Sequence, residues 1–155
     1  MISPELLRRY PFFGTLSDEQ LRQIAMIADE ETHEAGKILL KEKASANDLF
    51  LLIKGSMDLL FTIDEEYHPD RHKEFIFDEI NPGEIFGISA LIEPHVYTST
   101  VRSAGPVQVV HIDGVALRQR CADDPRLACH MYARVAKLAL ERLNATRVQL
   151  AAARA

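Results

Sequence analysis

The residues from Asn81 to Val101, NPGEIFGISALIEPHVYTSTV, combine a Pro-Gly turn, a second glycine at Gly87, a short apolar run and a hydroxyl-rich stretch from Thr98 to Thr100. Glycines so placed let a ligand come close to backbone amides, which is how a main chain cradles a phosphate or another small anion. A charged side chain strengthens such a contact, yet neither Lys nor Arg occurs between Glu84 and Arg102. The amide chemistry is available here, and its local positive charge is missing.

Other reactive residues are less organised. The stretch YHPDRHKE brings His68, Asp70, His72 and Glu74 into one hairpin tip, a donor set suited to a first-row metal. A two-residue alternation in a loop fixes no coordination geometry, so a solvated turn is expected there and no metal site. His33, His95 and His111 are scattered and lack the paired His-x-His spacing of a metal-dependent jelly-roll enzyme, although the strands carrying His33-Glu34 and His111 could meet. No Ser-His-Asp or Cys-His arrangement stands out, and no enzymatic activity is expected. Cys121 and Cys129 are too few for a disulfide scaffold and sit in helix-like sequence as small hydrophobes.

The elements that must position the loop follow from composition and period. A chain of 155 residues that is 47% hydrophobic can bury the core of one domain. Its net charge of −5 argues against an electrostatic nucleic-acid footprint or a basic membrane-surface patch. No apolar run reaches the roughly 18 residues of a membrane span, and the start, MISPELLRRYPFF, lacks the apolar core of a signal peptide, so a cytoplasmic location is expected.

Three segments are predicted. Residues 1–29 read as helical: SPELLRRY, then Phe12 and Phe13 as a plug, then a helix opened by Ser17 with Gln20 as its capping-box partner, carrying Leu21, Ile24, Ala25 and Ala28 on one face. Residues 30–113 shorten in period toward two, and KILLK, DLFLLIKG, SMDLLFTID, EFIFDEI, YTSTVRS and VQVVHID read as strands between recurrent glycines. Short strands with no helix-sized separators predict an antiparallel jelly-roll barrel, a double-stranded β-helix, in a mainly β domain with flanking helices. Residues 114–155 return to helix, with Asp113 capping one and Asp124-Pro125 opening a long one of about 29 residues, roughly 43 Å.

The long helix carries a seam. Tyr132, Ala136, Ala139, Leu143, Thr146, Leu150 and Ala153 recur at spacings of four and three, the period of a coiled coil. A second row, Leu127, Met131, Val135 and Leu138, is confined to the first half. The second row is expected to pack on the barrel, and the seam to pair with the same helix of a second copy about a two-fold axis, with small Ala136 and Ala139 permitting close approach.

AGKILLKEKASANDLFLLIKGSMDLLF, then NPGEIFGISALIEPHVYTSTVRS, then a long C-terminal helix resemble the cyclic-nucleotide-binding domain, the effector module of catabolite-activator-type regulators, protein kinase A regulatory subunits and cyclic-nucleotide-gated channels. The resemblance covers about Leu16 to the C-terminus, with Gly36, Gly55, Gly83 and Gly87 at the family's turn positions. It implies that Gly83 to Val101 is the phosphate-binding cassette, whose usual form is F-G-E-(hydrophobic)-A-L followed by R-(S/A)-A-(T/S)-V. There the glutamate accepts from the ribose 2′-hydroxyl and the arginine pairs with the phosphate.

Laid on that pattern, Phe86 and Gly87 match, Ile88 stands in place of the glutamate, and Ser89, Ala90 and Leu91 match loosely. Tyr97 stands in place of the arginine, followed by Thr98, Ser99, Thr100 and Val101. Charge-assisted hydrogen bonds contribute about 1.5 to 3 kcal/mol each. Losing both would weaken a micromolar site to millimolar or beyond, unless Arg102 or a long-helix residue such as Arg134 swings in. The expected function is a regulatory domain for a cyclic nucleotide or another small effector, bound through Phe86 to Ala90 and Tyr97 to Ser99 in a pocket more apolar than usual. Cyclic-nucleotide affinity is then weak, altered or lost. Catabolite-activator-type regulators continue past this helix into a DNA-reading domain, whereas this sequence stops at QLAAARA. Its signal is expected to pass through the helix to a separate partner, or the chain is the effector half of a transcription regulator; a dimerisation module with no ligand is the alternative.

Overall fold

Two capped helices open the chain. In this computed structural model, which describes residues 1–65 and 68–155, α1 is Pro4–Arg8 and α2 is Asp18–Ala25. The capping box is formed: the Ser17 hydroxyl accepts from the Gln20 amide at 3.2 Å, and the Gln20 side chain accepts from the Ser17 amide at 2.9 Å. The helix ends at Ala25, short of the Asp29 expected from its pattern, because Ala28 already starts strand β1 (Ala28–His33). That strand pairs with the last strand from Ala28↔Ile112 to His33↔Val107, and the ladder overrides the helical spacing.

The strands β2 (Ile38–Leu40), β3 (Asp48–Lys54), β4 (Met57–Glu65), β5 (His68–Ile80), β6 (Ile85–Phe86), β7 (Thr100–Ser103) and β8 (Val107–Asp113) follow in chain order. They form two four-stranded sheets, β1-β8-β3-β6 and β2-β7-β4-β5, with antiparallel neighbours throughout. The architecture is the antiparallel jelly roll expected from the strand spacing. The side chains of His68, Asp70 and His72 lie outside the described residues.

The nearly continuous apolar run of β3 has a direct cause. Leu49 and Leu51 face the helices, in one cluster with Leu7, Phe13, Leu21 and Ile24, while Phe50 and Leu52 face the space between the sheets with Met57, Ile80 and Phe86. A strand covered on both faces loses its polar alternation. The two residues of β6 divide likewise: Ile85 joins the helical layer and Phe86 the barrel interior.

The C-terminal part is helical as expected. Asp113 caps α3 (Gly114–Asp123), accepting from the Ala116 amide at 3.0 Å, and Asp124 caps α4 (Pro125–Arg154). With 30 residues, α4 is about 45 Å long. Leu127, Met131 and Val135 are buried against the helical layer and Leu138 is partly buried there, whereas Tyr132, Ala136, Ala139, Leu143 and Leu150 are exposed on the single chain. Among the described residues no helix is long and apolar enough to cross a membrane.

Candidate functional site

After β6 the chain turns at Gly87 and makes one 3-10 turn, Ile88–Leu91. Gly87 holds φ of +86°, and a Cβ there would lie 2.7 Å from the Asp48 carbonyl oxygen. Only glycine can meet both demands, so the close approach of this turn to the start of β3 is written into the sequence. Ala90 is the first amide of the turn to find an acceptor, the Gly87 carbonyl at 3.0 Å; among the described residues the amides of Ile88 and Ser89 have none.

Neighbouring elements clamp this turn. Arg118 of α3 donates to the carbonyls of Ala90 at 2.6 Å and Ala46 at 3.0 Å, and the Gly114 amide donates to Asn47 at 2.8 Å. The return segment is sewn to the loop before β3, with Ala46 donating to His95, Tyr97 to Ala44, and Lys43 to Tyr97. These bonds take the backbone of Tyr97, so β7 begins only at Thr100 and not at the Tyr97 expected from the pattern.

Tyr97 has a different task from the one its place in the motif suggested. Its ring is buried, and its hydroxyl donates to the Asp48 carbonyl at 2.7 Å while accepting from the Asp48 amide at 3.0 Å. Burial is the main reason its phenol is pushed up to about 12, and the phenol stays protonated. The hydroxyl expected to serve a ligand is spent on the backbone of β3.

Around this turn lies a cavity of about 40 Å³, lined by Gly87, Ile88, Ser89, Tyr97, Thr98 and Ser99, with Leu40, Leu59, Phe86 and Val101 as its apolar wall. The structure thus brings together seven of the eight expected ligand residues; Ala90 lies in the core beneath them, fully buried. The hydroxyls of Ser89, Thr98 and Ser99 have no partner among the described residues. Among the described residues no carboxylate lines the cavity.

One further residue reaches it: Arg142, from α4. Neither of the arginines named from the sequence does so. Arg102 pairs with Glu74 at 2.9 Å, and Arg134 donates to the Thr15 hydroxyl at 2.9 Å. Arg142 donates to the Ile85 carbonyl at 2.6 Å and makes no ion pair among the described residues. Burial lowers its pKa from the usual arginine range, opposed by the nearby carboxylates of Glu84 and Asp78. A signal for it existed: Leu127, Met131, Val135 and Leu138 face the barrel at spacings of four, four and three, and the next member at four is 142. The apolar residues of the row end at Leu138, and Arg142 continues its spacing with a charge.

The histidines form a different constellation. His33 contacts Glu31 at 2.9 Å, His111 contacts Glu31 at 3.6 Å and Asp48 at 2.6 Å, while His95 lies apart in the return segment. The strands of His33 and His111 do meet, as antiparallel partners, with Glu31 in contact with both rings; among the described residues no group of three His, Cys, Asp or Glu side chains could hold a metal ion.

Comparison with known proteins agrees with this geometry. Residues 30–124 match the family model described as cyclic nucleotide-binding domain. A candidate cyclic nucleotide-binding protein from Geobacter metallireducens shares 38% identity and superposes with a TM-score of 0.80, over 92% of this chain and 99% of that one. The N-terminal domain of a transcriptional regulator from Streptomyces coelicolor shares 25% identity with a TM-score of 0.67, over 91% and 94% of the two chains. The cGMP-dependent protein kinase isozyme 1 of Drosophila melanogaster is 24% identical over 122 residues, 78% of this chain; the match spans only 15% of the kinase.

Proposed function

Because the chain belongs to the cyclic nucleotide-binding domain family, we propose that it is a sensory domain whose cassette takes a small anionic effector and whose α4 passes the signal to a partner. The observation that carries this reading is the turn at Gly87, whose positive φ and closeness to the Asp48 carbonyl set the amides of Ile88 and Ser89 at the cavity with no acceptor among the described residues. Ile88 in place of a carboxylate and Tyr97 in place of a cassette cation make ordinary cyclic-nucleotide recognition weak. The exposed seam of Tyr132, Ala136, Ala139, Leu143 and Leu150 supports pairing of α4 between two copies. Effector half of a transcription regulator is one setting for such a pair, and the likeness to the Streptomyces domain supports it.

Melting curves with cyclic AMP and cyclic GMP test the reading. At ten times a millimolar Kd the folded state gains about 1.4 kcal/mol, a rise of about 3 to 6 °C for a chain of this size, with no rise at micromolar nucleotide. A second reading is favoured by the cavity volume of about 40 Å³, far below that of a nucleotide: a ligand-free dimerisation module. No rise with either nucleotide would select it, and a full rise at micromolar concentration would show a charge-complete site.

A further inference from the structure

Among the described residues the polar side chains lining the cavity are Arg142, Ser89, Thr98, Ser99 and Tyr97, the last spent on Asp48, and the amides of Ile88 and Ser89 have no acceptor. No carboxylate among the described residues lines it, Glu84 and Asp78 lying near Arg142 but outside the lining, and such a donor-rich lining suits an anion. The lining's one formal charge among the described residues stands on a different element from the rest. The cassette is fixed to the barrel through Gly87 and Arg118, while Arg142 rides on α4 beyond the last residue of that helix packed on the core, Leu138.

We propose that Arg142 is the cation that pairs with the ligand's phosphate, replacing from the helix the charge that the cassette lacks, so that an anionic ligand is held only while the distal half of α4 lies on the barrel. The assignment rests on the cassette being a ligand site. Arg142 already bonds a carbonyl of β6, the strand that feeds the cassette, and guanidinium has five N–H groups, so pairing with a phosphate does not require giving up Ile85. The small volume follows from Arg142 of α4 lying close over the turn. Entry of a nucleotide lifts α4, and the ion pair draws it back. Ligand affinity and helix position are then two readings of one equilibrium, since whatever holds Arg142 at the cavity strengthens anion binding, and an anion there holds the helix.

The test compares cyclic AMP with adenosine, which carries the same base and sugar without the phosphate, by calorimetry on the native chain, Arg142→Gln and Arg142→Lys. The native chain is expected to prefer cyclic AMP by tenfold or more, and Arg142→Gln to bind it about ten- to a hundredfold more weakly, at the level of adenosine. Arg142→Lys, a point charge without the planar fork, should fall between. Cyclic AMP should slow amide exchange over residues 139–150 in the native chain and not in Arg142→Gln, a readout that a purely structural strut would not move. Arg142→Gln binding cyclic AMP as the native chain does would overturn the assignment while leaving the cassette reading intact. A native chain that binds neither cyclic AMP nor inorganic phosphate would remove the cassette reading, and the role of Arg142 with it.

Discussion

Replacing Tyr97 with phenylalanine isolates what this side chain does in a position where the family pattern has a cation. The substitution keeps the ring among its apolar neighbours and deletes only the hydroxyl, which bridges the amide and the carbonyl of Asp48 at 3.0 and 2.7 Å. Leaving those groups short of a partner at a site where Tyr97 is 6% exposed should cost about 1 to 3 kcal/mol, with melting lowered by about 2 to 4 °C per kcal/mol. The pH dependence separates this bridge from a packing effect. In the folded chain the phenol sits at about 12 against the usual 10.0, so its stabilising contribution is complete below pH 10. That contribution is lost as pH rises from 10 towards 12: the unfolded chain releases the proton first, and over that window about 2 to 3 kcal/mol disappears from the native protein and none from the variant. Denaturant titrations of both proteins at pH 7, 10, 11 and 12 should show a gap in stability that closes over the upper values. A gap that stays constant through pH 12 would refute the buried, hydrogen-bonded phenol as the reason for Tyr97.

Gly87→Ala should lose about 2 to 4 kcal/mol, combining a left-handed backbone with a Cβ 2.7 Å from a carbonyl oxygen; Gly105→Ala, with open space around it, should be near neutral, and equal denaturation midpoints for the two variants would contradict the close approach. Leu143→Glu, on the exposed seam, should yield monomers by light scattering with an unchanged melting temperature at low protein concentration, and a dimer of full mass would place the pairing surface elsewhere.

The barrel was legible because its strands carry a period of two and its turns carry glycine, and β3 shows why the exception was also readable: DLFLLIK is apolar throughout since helices cover one face and the opposite sheet the other. Caps at Ser17, Asp113 and Asp124 were likewise visible as local hydrogen-bond chemistry. What failed was non-local. Ala28 fits a helical face equally well, and only its partner Ile112 makes it a strand. Tyr97 gave no sign that its hydroxyl would be consumed 49 residues away in sequence, at Asp48. The cation at the cavity comes from α4, 55 residues beyond Gly87, whereas the next cation along the chain, Arg102, is already held by Glu74.

Where the charge stands matters more than whether it is present. A cation built into the cassette would fix ligand affinity whatever the helix did. Arg142 sits seven residues beyond Val135, about 10 Å along the axis, on a stretch whose other residues past Leu138 are exposed. Among the described residues its bond to Ile85 is the one polar contact between the barrel and that distal half. On the proposed role of Arg142, an ion pair there would add to this single contact and bias the position of the half-helix. Leu143 is the next residue along, turned about 100° from Arg142 around the helix, so a second copy can occupy the seam without displacing the guanidinium. If Arg142 is the ligand's cation as proposed, a partner that pairs with the seam while α4 is docked should raise the affinity for an anion, and one that draws the helix away should strip the cradle of that charge.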